Sequence, residues 1–213
     1  MEYLLDTHQL TKEELQTFRP SVCNRLDRNT SGLMLAGKTL TGLQEFSKLL
    51  KNRSLNKYYL ALVKGKVTKS QHCKGYLWKN KKNNQVTVLH SPQNDAEYIE
   101  TAYEPLWMGK DCTLLKVELI TGKSHQIRAH LASLGYPLAG DPKYGNRSWN
   151  QVLFDKTKLK RQFLHAWMME FPKEQGVLHS LSEQKICAKL PEDLAQVLIF
   201  VGGKEIYERL QKL

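Results

Sequence analysis

Two long β-type segments that flank a tight turn constrain the fold of this chain more than any other feature. Residues 97–103 and 112–120 are rich in β-forming side chains, and a Gly-Lys-Asp turn at residues 109–111 lies between them. Alternate side chains of a strand lie on opposite faces, so one face of the second segment would carry Thr113, Leu115, Val117 and Leu119. Residues 57–63 form another β-type run, which ends at Gly65. We therefore expect an antiparallel sheet at the centre of the fold.

Helical signals alternate with these strands. The side chains that recur at helical spacing in the first half of the chain are Leu43, Phe46, Ser47 and Leu50. Residues 124–134 predict a second helix, which Gly135 would close. Pro191, followed by two acidic residues, predicts the start of a last helix. The fold class that these patterns predict is α/β (α+β): a mixed, largely antiparallel sheet flanked by helices.

The remaining segments suggest how the chain is organised. Thr11 and Glu14 have the spacing of a capping box, so residues 1–20 predict a short helix and a connection. Residues 32–36 predict a short apolar strand. Residues 74–94 are polar and rich in Lys and Asn, which is typical of a loop or a hairpin tip. We expect residues 21–213 to form one domain after the short N-terminal segment.

The chain is strongly basic, with 32 Lys and Arg against 21 Asp and Glu, a formal charge of +11. Such a balance favours polyanionic partners, with nucleic acid first and an anionic membrane surface second. Basic tracts at residues 79–82 and 156–161 are flanked by Trp78, Trp149 and Phe154. Charge beside stacking aromatic rings suits folded RNA with unstacked bases. Solvated surface loops are the alternative interpretation of both tracts.

The sequence gives no sign of a membrane or secreted protein. The apolar run at residues 197–201 is far shorter than the roughly 20 residues that span a bilayer. The N-terminus carries Glu2 and Asp6 and lacks the basic and apolar regions of a secretory signal. We therefore expect no membrane partner and a cytoplasmic location.

The four cysteines are scattered, without C-x-x-C spacing, and are predicted to be reduced thiols. His72 and Cys73 could be considered as a pair of metal ligands. Adjacent residues on a strand point to opposite faces, however, and no second pair follows. We therefore predict no metal site.

Three side chains are candidates for chemistry, each with a structural alternative. Asp27 lies between Arg25 and Arg28 and precedes an Asn-Thr-Ser-Gly turn, which would hold a carboxylate rigidly, beside charges that favour its ionised form. The alternative is an aspartate that only stabilises the turn. Arg128 on a packed helix could clamp a carboxylate through a two-point fork, or could be an exposed helix arginine. Tyr59 is by default a core residue of its strand.

Five blocks of the sequence resemble, in order, the signature blocks of RluA-type pseudouridine synthases. Residues 24–32, Asn-Arg-Leu-Asp-Arg-Asn-Thr-Ser-Gly, resemble the family's His-Arg-Leu-Asp-x-x-Thr-Ser-Gly, and residues 57–65 resemble its Lys-x-Tyr-x-Ala-Leu-Val-x-Gly strand. Residues 119–130 resemble the Thr-Gly-Arg-Thr-His-Gln-Ile-Arg-x-His block. Residues 140–145 and 161–166 resemble the Gly-Asp-x-x-Tyr-Gly turn and the Arg-Gln-x-Leu-His-Ala strand. Each match is weak by itself, but their common order makes the resemblance strong.

The resemblance implies a function and the residues that perform it. A member of this family isomerises uridine to pseudouridine in structured RNA, without a cofactor or a metal. We expect ribosomal RNA as the substrate rather than transfer RNA. Asp27 aligns with the catalytic aspartate, and Arg128 aligns with the arginine that pairs with it. Tyr59 aligns with the tyrosine that packs on the target base and is a candidate base for proton removal. The substrate-binding residues that the resemblance implies are Arg25, Lys123, His125 and Arg161, with Arg25 entering the space that the flipped uridine leaves.

The match departs from the family pattern at a few positions. Asn24 stands where the signature has His, while Lys123 and Ser124 replace Arg and Thr. Residues 1–20 are too short for the strand region and the S4-type RNA-binding domain that precede the aspartate block in relatives, so we expect both to be absent. The resemblance implies the pseudouridine synthase catalytic fold for residues 21–213, and we expect a monomer.

Two other functional classes remain open. A non-catalytic RNA-binding module would keep the fold and the charge of the family without its activity. A basic hydrolase is the other alternative, but the sequence has no G-x-S-x-G motif, metal-ligand pair or phosphate-binding glycine loop to support it.

Overall fold

A computed structural model describes residues 2–80, 85–93 and 95–212 of the chain. Its α-helices are α1 (Glu2–Asp6), α2 (Glu14–Thr17), α3 (Leu40–Asn52), α4 (Gln126–Ser133), α5 (Arg147–Thr157), α6 (Glu192–Gly202) and α7 (Lys204–Leu210), with a 3-10 helix at Gly176–Leu181. Its strands are β1 (Ser21–Val22), β2 (Ser31–Gly32), β3 (Ala36–Gly37), β4 (Asn56–Lys64), β5 (Gln71–Asn80), β6 (Gln85–Leu89), β7 (Glu97–Met108), β8 (Cys112–Leu119), β9 (Leu164–Glu170) and β10 (Lys185–Cys187).

The chain divides into two compact units. Unit 1 comprises Met1–Leu26, Met34–Leu55 and Glu170–Ile186, and unit 2 comprises Asp27–Leu33, Asn56–Met169 and Cys187–Leu213. The sequence-based division after residue 20 stays a prediction, since unit 1 collects residues from both sides of that point.

Unit 2 is built on one extended sheet. Its strands follow the order β9-β4-β8-β7-β5-β6, and β2 pairs with β9 in parallel. The pairs β4–β8, β8–β7, β7–β5 and β5–β6 are antiparallel, so the predicted mixed, largely antiparallel sheet flanked by helices is confirmed. In the β4–β8 register Tyr59 lies opposite Val117, which in turn lies opposite Tyr103 of β7.

The two faces of this sheet differ. On one face, Leu60 and Leu62 of β4 pack into a cluster with apolar residues of α5 and α6, among them Leu153 and Leu194. Because strand side chains alternate, Tyr59 lies on the other face. That face carries Ile99, which packs with Ala129 of α4, so α4 and Tyr59 share one side of the sheet.

Unit 1 is smaller and contains the N-terminal segment. Thr11 and Glu14 exchange the two hydrogen bonds of a capping box, at 3.2 and 2.8 Å, and Glu14 is the first residue of α2. The described residues of this segment form two short helices, α1 and α2, where the sequence predicts one. Thr39 caps α3 by accepting a hydrogen bond from the Gly42 amide at 3.1 Å. Strands β1 and β3 pair antiparallel.

Several local predictions are confirmed and others are wrong. Helices α3, α4 and α6 lie where the periodicity predicts them, and Gly135 follows α4 with φ +87°. The predicted strand at residues 32–36 is wrong in its middle, because β2 and β3 are two short strands on either side of it. Of the predicted loop at residues 74–94, residues 74–80 and 85–89 are strand, since β5 and β6 pair antiparallel, and residues 81–84 and 94 lie outside the described residues. The helix α5 at Arg147–Thr157 had not been predicted.

Two adjacent residues of α5 test the core of unit 2. Leu153 is 1% exposed and belongs to the apolar cluster, whereas Val152 is 51% exposed. We expect Leu153→Ala to lower the free energy of unfolding by about 2–5 kcal/mol, because it leaves a cavity. Val152→Ala should change it by less than about 0.5 kcal/mol. Urea denaturation measures both values, and equal effects would contradict the placement of this helix.

Candidate active site

Asp27 lies on a tight turn that the rest of unit 2 holds in place. The Thr30 amide donates to the Asp27 carbonyl at 2.9 Å, which closes the turn, and Asn29 adopts a left-handed conformation with φ +71°. Buried Gln162 donates from Nε2 to the Arg28 carbonyl at 2.8 Å and to the Thr30 hydroxyl at 3.1 Å. The carboxylate of Asp27 therefore projects from a backbone that is fixed on its C-terminal side.

Arg161 fastens the same turn to α6. Its guanidinium forms a two-point fork with Asp193, at 2.6 and 2.7 Å, and Nη1 donates to the Asn29 carbonyl at 2.9 Å and to the Ser31 hydroxyl at 3.2 Å. These contacts make Arg161 a link between the Asp27 turn and the first turn of α6. Its predicted contact with substrate stays a prediction.

Arg128 lies between two carboxylates. Nε and Nη2 donate to Asp141 at 2.7 and 3.0 Å, and Nη1 donates to Asp27 at 3.3 Å. The Arg128 side chain is 5% exposed, that of Asp141 is fully buried and that of Asp27 is 20% exposed. The sequence-based hypothesis of a two-point clamp therefore describes Arg128 correctly, but the carboxylate in the fork is Asp141, and Asp27 receives the remaining nitrogen.

The charges of this cluster stabilise one another. Burial by itself raises the pKa of Asp141, but hydrogen bonds and the charge of Arg128, with the amides of Lys143 and Tyr144, outweigh it and lower the pKa below its usual value. Burial lowers the pKa of Arg128, and the two carboxylates outweigh it, so that this pKa rises. Asp141 and Arg128 are therefore both ionised at neutral pH.

Tyr59 lies buried on β4, on the side of the sheet that faces α4. Burial, followed by the negative charge of Asp27, raises the pKa of Tyr59 to about 12. The phenol therefore keeps its proton at neutral pH. In this state the hydroxyl can donate a hydrogen bond, and it can take up another proton only by releasing its own.

His125 precedes α4 in a left-handed conformation, with φ +57°. Its amide lies 3.4 Å from Oδ1 of Asp27, and its Nδ1 lies 2.9 Å from the Tyr144 hydroxyl. That hydroxyl accepts a hydrogen bond from the Val86 amide at 3.0 Å, which leaves its own proton for Nδ1. Burial is the largest influence on His125 and lowers its pKa, so the ring is neutral at pH 7.

Lys123 lies on the turn between β8 and α4. Buried Gln126 orders this turn, because its Oε1 accepts from the Lys123 amide at 3.0 Å and from the Thr121 hydroxyl at 2.8 Å. The ammonium group of Lys123 forms an ion pair with Glu97 and remains partly exposed. The predicted contact of Lys123 with substrate stays a prediction.

The other predicted features lie elsewhere or outside the described residues. Arg25 is an exposed residue of unit 1. In the second basic tract, Lys156 and Lys160 are exposed to solvent, and Phe154 is 37% exposed. In the first tract, Trp78 and Lys79 are exposed, but residues 81–82 lie outside the described part of the chain.

His72 and Cys73 occupy opposite faces of β5, with His72 paired to Glu100 at 2.7 Å and Cys73 buried. Within the described ranges, no group of three or more His, Cys, Asp or Glu side chains is arranged to hold a metal ion. Over the same ranges, no helix is long and apolar enough to cross a membrane.

Sequence reasoning missed three residues of the site: Asp141, Tyr144 and Gln162. Asp141 and Tyr144 lie in the turn block at residues 140–145, and Gln162 lies in the block at residues 161–166. Both blocks carry the family resemblance, but the sequence assigns these three residues no partner. The position of these polar residues inside blocks that carry the resemblance is the signal that could have identified them.

Comparisons with known proteins agree with the family resemblance of the sequence. A family model for RNA pseudouridylate synthases matches residues 3–133. Ribosomal large subunit pseudouridine synthase D of Nitrosomonas europaea is 36% identical over 186 residues, which cover 86% of this chain and 52% of that protein. Ribosomal large subunit pseudouridine synthase C of Pasteurella multocida is 32% identical over 200 residues, 81% of this chain and 59% of that protein. The chain thus spans about half the length of the curated relatives that it matches.

Solved structures agree in fold. Human RNA pseudouridylate synthase domain containing 1 superposes with a TM-score of 0.67 at 22% identity, covering 81% of this chain and 70% of that one. Human RNA pseudouridylate synthase domain containing 4 gives the same TM-score and identity over 84% of this chain and 74% of that one. The fold, the family match over residues 3–133 and the identity to curated relatives lead to one conclusion: this chain belongs to the RNA pseudouridylate synthase family.

Proposed function

We propose that this protein converts uridine to pseudouridine in ribosomal RNA, with Asp27 as its catalytic carboxylate. The observation that carries the proposal is the contact of Asp27 with buried Arg128, at 3.3 Å, in a chain of the pseudouridylate synthase family. The turn that bears Asp27 is held by Gln162 and Arg161, so its carboxylate is preorganised.

The chemistry requires a carboxylate of this kind. Uracil is detached from its ribose, turned, and rejoined through carbon instead of nitrogen. A carboxylate can attack the sugar or the base, or stabilise a cationic sugar, and an arginine partner favours its charged form. The target base must first leave its stack, which costs a few kcal/mol, and this cost is smallest in single-stranded loops. Since the reaction is an isomerisation, it needs no group donor.

Tyr59 and Arg128 complete the proposed catalytic set. The ring of Tyr59 packs on the flipped base, and its hydroxyl takes part in proton transfer. Because its pKa is about 12, this hydroxyl accepts the proton from the rejoined carbon only as it releases its own, and the ring nitrogen freed from the ribose gains a proton, so that the isomerisation balances. Arg128 holds the Asp27 carboxylate through the contact of its Nη1, at 3.3 Å. Arg25 fills the space that the uridine leaves, while Lys123, His125 and Arg161 contact the RNA.

Charge and the names of relatives support an RNA substrate. The chain carries a formal charge of +11, and lysines of the tract at residues 156–161 are exposed beside Phe154. Relatives named for the large ribosomal subunit favour ribosomal RNA over transfer RNA. Mapping pseudouridines in ribosomal RNA from cells with and without the gene tests this choice. Loss of a transfer RNA site with ribosomal RNA unchanged would reverse it.

Asp27→Asn is the direct test of catalysis. The change removes the charge of the side chain and keeps its size, so we expect pseudouridine formation to fall to background while RNA affinity is retained. Tritium release from RNA labelled at carbon 5 of uridine measures product, and filter binding measures affinity. Asp6→Asn, an exposed aspartate of α1, is the matched control and should remain fully active.

The same assay separates the enzyme from its alternative. A non-catalytic RNA-binding module would bind RNA but release no tritium, for the unaltered protein as well as for Asp27→Asn. Product formation by Asp27→Asn at the rate of the unaltered protein would show that another residue is the catalytic carboxylate.

Tyr59→Phe tests the hydroxyl separately from the ring. Since the ring remains to pack on the base, we expect RNA affinity to change little and product formation to fall by about a hundredfold or more, the usual contribution of acid–base groups. Tyr58→Phe is the matched control, because Tyr58 lies on the opposite face of β4, where Lys116 lies 4.5 Å from the centre of its ring. Full activity in Tyr59→Phe would limit Tyr59 to stacking.

A further inference from the structure

We propose that Asp141 is a positioning residue for this reaction, which holds Arg128 by a two-point fork and so presents Nη1 of the guanidinium to Asp27. The inference rests on the proposed function, because pseudouridine formation is its main readout. It adds a residue whose effect on Asp27 passes entirely through Arg128.

The geometry of the fork supports this role. Asp141 accepts from Nε and Nη2 at 2.7 and 3.0 Å, along one side of the planar guanidinium. Two parallel hydrogen bonds fix both the position and the plane of the group. With that side occupied, Nη1 is the nitrogen that points to Asp27, at 3.3 Å. The ring of Tyr144, with its centre 5.3 Å from the guanidinium carbon, lies against the same group.

Asp141 is itself rigidly held. Its Oδ1 also accepts from the amides of Lys143 at 2.8 Å and Tyr144 at 3.1 Å. Its carbonyl accepts from the Gly145 amide at 3.1 Å and from Asn150 Nδ2 at 2.9 Å. A Cβ at Gly145 would lie 2.2 Å from that carbonyl oxygen, so the turn closes tightly only with glycine there. A fully buried carboxylate with this many donors has one available orientation.

The division of one cation between two carboxylates explains why such a residue is useful. A single contact from Arg128 holds one oxygen of Asp27, whereas a strong two-point fork would engage both of its oxygens. The contact of Arg128 with Asp27 is longer than the 2.7–3.0 Å contacts with Asp141 and than the roughly 2.7–2.9 Å of strong charge-assisted bonds. Asp141 thus keeps Arg128 from closing on both oxygens of Asp27, and leaves the Asp27 carboxylate able to react.

A purely structural role is the alternative. In that case Asp141 would stabilise only the turn at residues 140–145, and activity would fall in proportion to stability. Asn150→Ala is the matched control for this alternative. It removes the hydrogen bond that Oδ1 of Asn150 accepts from the Gly140 amide, at 2.8 Å, and the one that Nδ2 donates to the Asp141 carbonyl. It alters no charge.

The test is kinetic analysis of Asp141→Asn on ribosomal RNA substrate. We expect kcat to fall by about a hundredfold, the scale of a misplaced catalytic group, with little change in KM because Asp141 does not touch RNA. Asn150→Ala should lower the melting temperature comparably and kcat much less. A kcat loss that follows the melting temperature equally in both variants would overturn the proposal.

A double-mutant comparison identifies the route of the effect. If Asp141 acts through Arg128, Arg128→Gln and Arg128→Gln with Asp141→Asn should have equal residual activity. Additive losses would assign Asp141 an effect of its own. Arg128→Lys provides a variant that retains Asp141: it keeps the charge but cannot form the planar fork, so we expect a kcat loss similar to that of Asp141→Asn. Full activity in Arg128→Lys would refute the need for the fork, whether or not Asp141→Asn folds.

The outcomes also separate this inference from the function on which it rests. If the unaltered protein forms no pseudouridine, the proposed function fails and the inference falls with it. If the unaltered protein is active and Asp141→Asn is equally active, the function stands and only the role of Asp141 is wrong.

Discussion

The buried guanidinium of Arg128 is the interaction on which the site of unit 2 depends. It joins α4 to the turn of Asp27 and to the turn of Asp141, through contacts of 2.7 to 3.3 Å. A buried charge without partners costs several kcal/mol, so the buried position of Arg128 depends on its two carboxylate partners. The same cation that organises the fold around the site also sets the electrostatic environment of Asp27.

The sheet determines which side chains can meet this cation. Tyr59 pairs with Val117 on the face that carries α4, while Leu60 faces the apolar cluster of α5 and α6. A slip of one residue in this pairing would exchange the two faces and bury Leu60 in the site. The apolar cluster therefore protects the register, and the register places Tyr59. Stability and proposed catalysis use opposite faces of one strand.

Much of the local structure was predictable, and the failures have physical causes. Strong periodicity and terminal signals identified α4 and α6, since the apolar stripe and caps are local. Helix α5 was missed because its segment is basic and few of its residues are apolar; packing of Leu153 into the core stabilises it. The polar residues of β5 and β6 hid two strands, whose buried side chains, Cys73, Leu77 and Val86, are few.

The sequence by itself determined the family, the sheet-and-helix class and the candidates Asp27, Tyr59 and Arg128, because these depend on motifs and on periodicity within short segments. Only the tertiary structure decided the partners. Asp27 and Arg128 are 101 residues apart, and Arg128 and Asp141 are 13 apart, so their contacts exist only once the elements pack together. Hence the fork of Arg128 belongs to Asp141, a partner that no local pattern assigns to Arg128.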